Sequence, residues 1–384
     1  MRISRRPLLV ALLLVLGLTA SACGGDDDTD VSAEPSESAS ASATSDSASA
    51  SDSASASAPA DASEPAESDD ELEDPVATGS SDNAPEAPEE ETIEIGAFPR
   101  TITDALGEIE ITEAPMRVVS LDLSTLDSAF ALGLEVIGHT TFMDPNGPIP
   151  ALYGDAAAEL GSESVWVGDT LEPNLELIAA TQPDMIITSA VRHADIADQL
   201  AQIAPTVMTS SAGSGWKDGL ALIAEATGRE AIGEQALADY EARAAEIGAA
   251  INEMHGDPTL SVLRFVDVIR VYQPLSFSGV VLTDVGIARP DSQQSPEDFP
   301  FTTVSEEELP SADGDWLVYA VFPNADVEAA VAERQNSPLW TQLSSVSSGQ
   351  AFPVEDDRWM SGVGLFGAQS ILDDLVTIFS VEVS

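Results

Sequence analysis

From about residue 92 onward, short apolar runs alternate with segments whose apolar residues recur every three or four positions. The runs "RVVSL" (117–121), "EVIGHT" (135–140), "DMIITS" (184–189) and "TVMTS" (206–210) read as buried strands. They are short, rich in β-branched residues and bounded by polar stretches. Between them, "STLDSAFALG" (124–133), "PNLELIAATQ" (173–182) and "DIADQLAQIA" (195–204) read as helices, the first with Ser124 as its N-cap. Strand–helix–strand in this rhythm specifies βαβ units and a largely parallel sheet. A longer periodic segment follows from Arg229 to Met254, with Ile232, Ala236, Tyr240, Ala244, Ile247, Ile251 and Met254 on one stripe. At about 1.5 Å per residue that helix is roughly 39 Å long, more than one lobe needs.

The alternation then restarts. "LSVLRFV" (260–266) and "IRVYQ" (269–273) read as strands of a hairpin, "SGVVLTDVG" (278–286) as a helix and "WLVYAVF" (316–322) as a buried strand. "DVEAAVAERQ" (326–335) is helical, "AFPV" (351–354) a strand, and "GVGLFGAQSILDDLVTIFS" (362–380) the closing helix. The expected fold class is α/β: two Rossmann-like lobes with central, largely parallel sheets, residues 92–228 and 256–384, joined by one long helix at 229–255.

The N-terminal ninety residues follow a different pattern. Arg2, Arg5 and Arg6 precede an apolar run from Leu8 to Leu18. That run is shorter than the about twenty residues a bilayer span requires, and reads as an export signal over residues 1–22. It ends in "TASAC", with Cys23 the sole cysteine of the chain. This is similar to a bacterial lipobox, with Ala20 where Leu is commoner. The similarity implies a diacylglycerol on Cys23 that tethers the chain to the outer face of a membrane. "SRRPLL" also resembles a twin-arginine signal, which leaves the export route open. A single cysteine excludes internal disulfides and thiolate metal clusters. Residues 23–91, dominated by Ser, Ala, Asp and Glu without aromatic or basic residues, read as a disordered, self-repelling tether.

The chain holds 14 Lys plus Arg against 67 Asp plus Glu, a net charge of −53. Lys217 is the only lysine. Without a basic stripe to neutralise phosphates, nucleic acid is excluded as a partner. Dense surface carboxylate suits a saline setting, where self-repulsion is screened.

Seven segments, in order, carry a resemblance: "PMRVVSLDLSTLDSAFALGLEVIG", "EPNLELIAATQPDMIITS", "LAQIAPTV", "VGIARP", "VSEEELPSADGDWLVY", "SPLWTQLSSVSSGQAFPV" and "WMSGVGLFGAQSILDDL". Together they resemble class III periplasmic binding proteins of the iron–siderophore and vitamin B12 type, substrate-binding components of ABC importers. The resemblance implies a monomer whose two lobes hold a ligand between them and close little, because the long helix limits their motion. It implies a ferric siderophore as ligand, with haem or cobalamin as alternatives. The iron is held by the chelate, and no resident cofactor is expected. The implied partners are the permease subunits with their cytoplasmic ATPase.

In open parallel sheets the crevice lies at the carboxyl ends of the strands. Arg192 and His193, after "DMIITS", are therefore expected on the cleft rim, where a guanidinium fork suits ligand oxygens. Arg264 and Tyr272 on the hairpin, and Arg358 and Trp359 after "AFPV", are expected there for the same reason. Trp216 and Trp166 are candidates on the first lobe, and Trp340 reads as packing. Haem would need His193 or Tyr272 as its axial group. His139, His193 and His255 fall on separate elements, unlike the cluster a free metal requires. No GxSxG, phosphate loop or HExxH is present, which leaves a chelatase-like enzyme or a structural lipoprotein as remote alternatives. The family docks each lobe on its permease through one surface Glu. The matching patterns here, "NLELI" and "SEEEL", place these at Glu176 and Glu307.

Overall fold

The computed structural model describes residues 95–142, 147–211, 213–294 and 299–383. The export signal, Cys23 and the acidic tether lie outside the described residues.

A two-stranded antiparallel ribbon, β1 (Arg100–Thr103) and β2 (Glu108–Ile111), precedes the first sheet. That sheet comprises β3 (Arg117–Ser120), β4 (Glu135–Thr141), β5 (Val165–Asp169), β6 (Glu172–Pro173), β7 (Met185–Ser189) and β8 (Thr206–Thr209), in the order β6–β5–β4–β3–β7–β8. All neighbours are parallel except the short edge strand β6. Val118, Val119, Met185, Ile186 and Ile187 are all fully buried. Both faces of β3 and β7 are covered by helices, which is why these strands read as continuous apolar runs.

The second sheet comprises β9 (Leu260–Phe265), β10 (Ile269–Tyr272), β11 (Phe301–Val304), β12 (Trp316–Val321) and β13 (Ala351–Val354), ordered β11–β10–β9–β12–β13. It is mixed rather than largely parallel. β9, β12 and β13 run parallel, while β10 is antiparallel to both β9 and β11. The tight hairpin between β9 and β10 forces that reversal, since a parallel return needs a crossover of a dozen or more residues.

The long helix, Glu230–His255, ends at Gly256 in the left-handed region (φ 73°), where glycine carries no Cβ penalty. Tyr240, Ala244, Ile247 and Ile251 are buried along one stripe, while Met254 at its end is exposed. Gly248 lets the helix Phe277–Val285 approach closely: a Cβ at that position would meet the Val285 carbonyl oxygen at 1.7 Å.

Two expectations are corrected near the first sheet. The helix Leu123–Ala131 is capped by Asp122, whose carboxylate accepts the Ser124 amide, and not by Ser124 itself. The helix expected over 195–204 is reduced to the short helix Ala197–Leu200, preceded by a 3-10 turn at Ala194–Ile196 and, before that, a separate helical turn at Ala190–His193. The turn Ala190–His193 starts directly at the end of β7, so Arg192 and His193 sit on a helical turn. A helical turn separates successive side chains by about 100°, and the pair therefore diverges.

Candidate functional site

A cleft of about 1730 Å³ opens between the two sheets, well above the roughly 300–1,000 Å³ usual for small-ligand sites. Its walls follow the carboxyl ends of the strands. Phe142 comes after β4, Thr170 after β5, Ser211 after β8, Val266 after β9, Phe322 after β12 and Asp356 after β13. Rings from both lobes face this space, with Phe142 on one side and Tyr272, Phe277, Phe301 and Phe322 on the other.

Three of the cationic groups lining the cleft are held by carboxylates. Arg192 Nε donates to Asp122 Oδ2 at 3.1 Å, and its guanidinium lies over the Phe142 ring at 5.6 Å. Asp122 also takes the Ser124 amide and hydroxyl and the Ser189 hydroxyl, so one buried carboxylate joins the ends of β3 and β7. Across the cleft, Arg264 meets Asp356 as a fork, with Nε on Oδ1 and Nη2 on Oδ2, each at 2.6 Å. Its Nη1 reaches the Tyr272 hydroxyl at 3.3 Å. Burial works against the Arg264 charge, but the bonds to Asp356 and Tyr272 outweigh it and raise the pKa above its ordinary value. Arg334 Nε donates to Glu306 at 2.8 Å.

Arg270, in the same run "IRVYQ" as Tyr272, also lines the cleft. It is the Cα partner of Arg264 across the β9–β10 hairpin and lies over the Phe301 ring at 4.4 Å. Among the described residues it meets no carboxylate, and its buried Nε has no hydrogen-bond partner. The hairpin register, once known, puts two like charges opposite each other, and that was the available signal for it.

A family comparison bears directly on this geometry. The periplasmic binding protein family matches residues 118–356, a span that takes in both sheets. The chain belongs to that family. It is 33% identical over 294 residues to the Bacillus subtilis "Probable siderophore-binding lipoprotein YfiY", covering 73% of this chain and 87% of that one. It is 27% identical over 288 residues to the Fe(3+) dicitrate-binding periplasmic protein FecB of Escherichia coli K12, covering 74% and 91%. Among solved structures, Staphylococcus aureus SirA complexed with staphyloferrin B superposes with a TM-score of 0.66 at 28% identity, over 74% of this chain and 99% of SirA. Two α/β lobes about one long helix are the class III arrangement of this family.

The other candidate residues fall away from the cleft surface. His193 is 2% exposed. Its Nε2 donates to the Thr170 carbonyl at 2.8 Å and its Nδ1 accepts the Thr188 hydroxyl at 2.6 Å. Burial pushes its pKa below the ordinary value, so the ring is neutral at physiological pH. It is a structural link between β7 and the turn after β5. Trp216 is buried with its ring edge-on to Tyr240 and Phe277. Trp359 is fully buried, and its indole N–H donates to Asp374 at 2.8 Å. Arg358 is exposed and points to the same Asp374 at 3.6 Å. The reason is local: Asp357–Ser361 forms a single π-helical turn. That turn aims Asp357, Met360 and Ser361 at the cleft and rotates Arg358 and Trp359 away. Trp166 donates to Thr141 Oγ1 at 3.0 Å and does not line the cleft. Trp340 packs on Phe265 and Tyr319.

Glu176 stands exposed in the first turn of the helix Leu175–Thr181, whose N-cap is Asn174. Of the three consecutive acids on the other lobe, Glu306 is bound to Arg334 and Glu308 accepts the Ser305 amide and hydroxyl. Glu307 is exposed and makes no such bond among the described residues. No helix of the described residues is long and apolar enough to cross a membrane.

Proposed function

We propose that this chain is the extracytoplasmic substrate-binding component of an ABC importer, anchored by lipid on Cys23. It captures a ferric siderophore between its lobes and delivers it to the permease. The observation that carries the reading is the cleft itself. It is larger than a metabolite needs, is walled by aromatic faces from both lobes, and carries guanidinium groups positioned at strand ends. An Fe(3+) chelate presents an apolar body with oxygen ligands at one end, and such a wall matches both parts. Likeness to a siderophore-binding lipoprotein, a ferric dicitrate-binding protein and a staphyloferrin complex supports the same ligand class.

Iron is cargo here and enters already chelated. Among the described residues no group of three or more His, Cys, Asp or Glu is placed to hold a metal ion. The reading is one of binding without chemistry, which likeness to substrate-binding proteins supports. Haem is disfavoured because His193 has both ring nitrogens engaged and the Tyr272 hydroxyl accepts from Arg264.

The test is to incubate the purified full chain with a ferric siderophore and separate bound from free by gel filtration. A visible charge-transfer band eluting with the protein is the expected result. A Soret band after loading with haem, and none with any siderophore, would overturn the proposal.

A further inference from the structure

The charges around the cleft nearly cancel. Its wall carries four arginines, Arg192, Arg264, Arg270 and Arg334, and also five aspartates, Asp122, Asp267, Asp326, Asp356 and Asp357. Three of the four guanidinium groups are already committed: Arg192 to Asp122, Arg264 to Asp356, and Arg334 to Glu306. A strongly anionic ligand would find its countercharges spent. It would have to break internal pairs whose acids are then left unpaired beside it, a costly exchange at low dielectric. The acidic surface around the cleft adds long-range repulsion of the same sign.

Arg270 is the exception. It faces the cleft, stacks on Phe301, and has neither a carboxylate nor any bond on its buried Nε among the described residues. It sits directly across from Arg264, so a single negative group placed beside it would relieve like-charge repulsion as well as fill its donors.

We infer that this cleft selects ferric hydroxamate chelates that are neutral or carry one free carboxylate, with Arg270 anchoring that carboxylate and the rings of Phe142, Phe301 and Phe322 covering the body. The inference rests on the siderophore reading above and names the class of siderophore. A trianionic ferric tris-catecholate is rejected because the remaining two charges meet no free cation.

The test is calorimetric titration of the purified full chain with three probes. These are ferrichrome, a neutral ferric tris-hydroxamate; a succinylated ferrioxamine, a ferric tris-hydroxamate bearing one carboxylate that does not bind the iron; and trianionic ferric enterobactin. The hydroxamates are expected to bind about a hundredfold or more tighter than enterobactin, about tenfold for each uncompensated charge. Arg270→Gln is expected to weaken the carboxylate-bearing chelate by about tenfold or more and ferrichrome by clearly less. Asp356→Asn releases Arg264 and is expected to narrow the gap to enterobactin. Enterobactin binding as tightly as ferrichrome, or Arg270→Gln weakening both hydroxamates alike, overturns the inference and leaves the siderophore reading standing. Binding of none of the three overturns both.

Discussion

Asp127, on the first-lobe helix Leu123–Ala131, accepts the backbone N–H of Leu365 at 2.6 Å and so caps the closing helix of the second lobe, Leu365–Phe379. The Phe366 N–H adds a second bond at 3.1 Å. Gly364 makes this approach feasible. Its φ is 147°, and a Cβ there would come within 2.2 Å of the Asp127 carboxyl carbon. A second link joins the lobes nearby: Lys217, on the helix Trp216–Thr227, pairs with Asp284 at 2.8 Å on the helix Phe277–Val285. The joint behind the cleft thus includes a helix terminus and an ion pair beside the ring contacts Trp216–Phe277 and Tyr153–Phe366.

Burial pushes the Asp127 carboxyl up to about 8, against the opposing effect of the backbone N–H groups of Leu365, Phe366 and Gly367. A carboxyl raised in the folded state keeps its proton where the unfolded chain has released it. Its contribution to stability is therefore full below the ordinary carboxylate range and is lost as pH rises towards 8. The many other acids also weaken the fold as pH rises, so the wild type must be compared with Asp127→Asn, which keeps an acceptor oxygen but cannot titrate. The expected result is a stability difference between the two that falls by on the order of a few kcal/mol between pH 4 and 8. Urea unfolding across that range measures it, and parallel pH profiles would show that Asp127 does not titrate there.

Arg264→Ala leaves Asp356, which is buried, without its guanidinium. Breaking a buried pair from one side costs about 3–5 kcal/mol, and removing both partners costs far less. The double variant Arg264→Ala/Asp356→Ala is therefore expected to unfold at higher urea than Arg264→Ala alone. Ligand affinity should be read in the double variant, because weakened binding in the single one mixes lost contact with a disturbed wall. Equal destabilisation of single and double variants would mean that the fork contributes nothing specific to the fold.

The strands and long helix were legible because burial leaves a strong pattern. Parallel strands covered on both faces, such as "RVV" and "MII", cannot alternate, and the stripe through Tyr240, Ala244, Ile247 and Ile251 has no competing reading. The ribbon β1–β2 was missed because its four-residue strands, "RTIT" and "EIEI", are mostly exposed and present no apolar run. The edge strand β11, "FTTV", is hidden for the same reason. In the site, Arg192, Arg264 and Tyr272 were legible as cleft residues because they fall at or near strand ends in α/β lobes. Arg358 and Trp359 satisfy the same rule but are re-aimed by a π-helical turn that no spacing reveals. Arg270 needed the hairpin register, and Trp216 the packing of three helices, neither of which is encoded in a short stretch of chain.

Cys23 lies outside the described residues, and its role rests on "TASAC" and on likeness to a lipoprotein. A thioether lipid there would be the attachment that keeps the chain at the membrane. Cys23→Ser is expected to release the protein into the medium or to leave an unprocessed precursor. Cell fractionation with immunoblotting distinguishes these from the wild type, and normal processing with full membrane retention would end the lipoprotein reading.

The last expectation concerns delivery. Glu176 and Glu307 are exposed on different lobes, and in the run "SEEEL" Glu306 and Glu308 are bonded within the lobe whereas Glu307 makes no such bond among the described residues. Hydrogen bonds from the Ser305 amide and hydroxyl hold the Glu308 carboxyl below its ordinary range, which ties it further to its own turn. Two carboxylates on separate lobes, each meeting guanidinium groups of one permease subunit, would orient both lobes at once. The competing explanation for Glu176 is local, since an acid in the first helical turn gains about 0.3–1 kcal/mol from the helix dipole. Charge reversal separates the two. Glu176→Arg with Glu307→Arg is expected to abolish uptake of labelled ferric chelate by cells while affinity of the purified chain stays within about twofold, under 0.5 kcal/mol. Each single reversal should give an intermediate loss, because one docked lobe still aligns the other through the shared joint at Asp127 and Lys217. Unimpaired uptake by the double variant rules out docking through this pair, whereas lost ligand binding traces the defect to the fold.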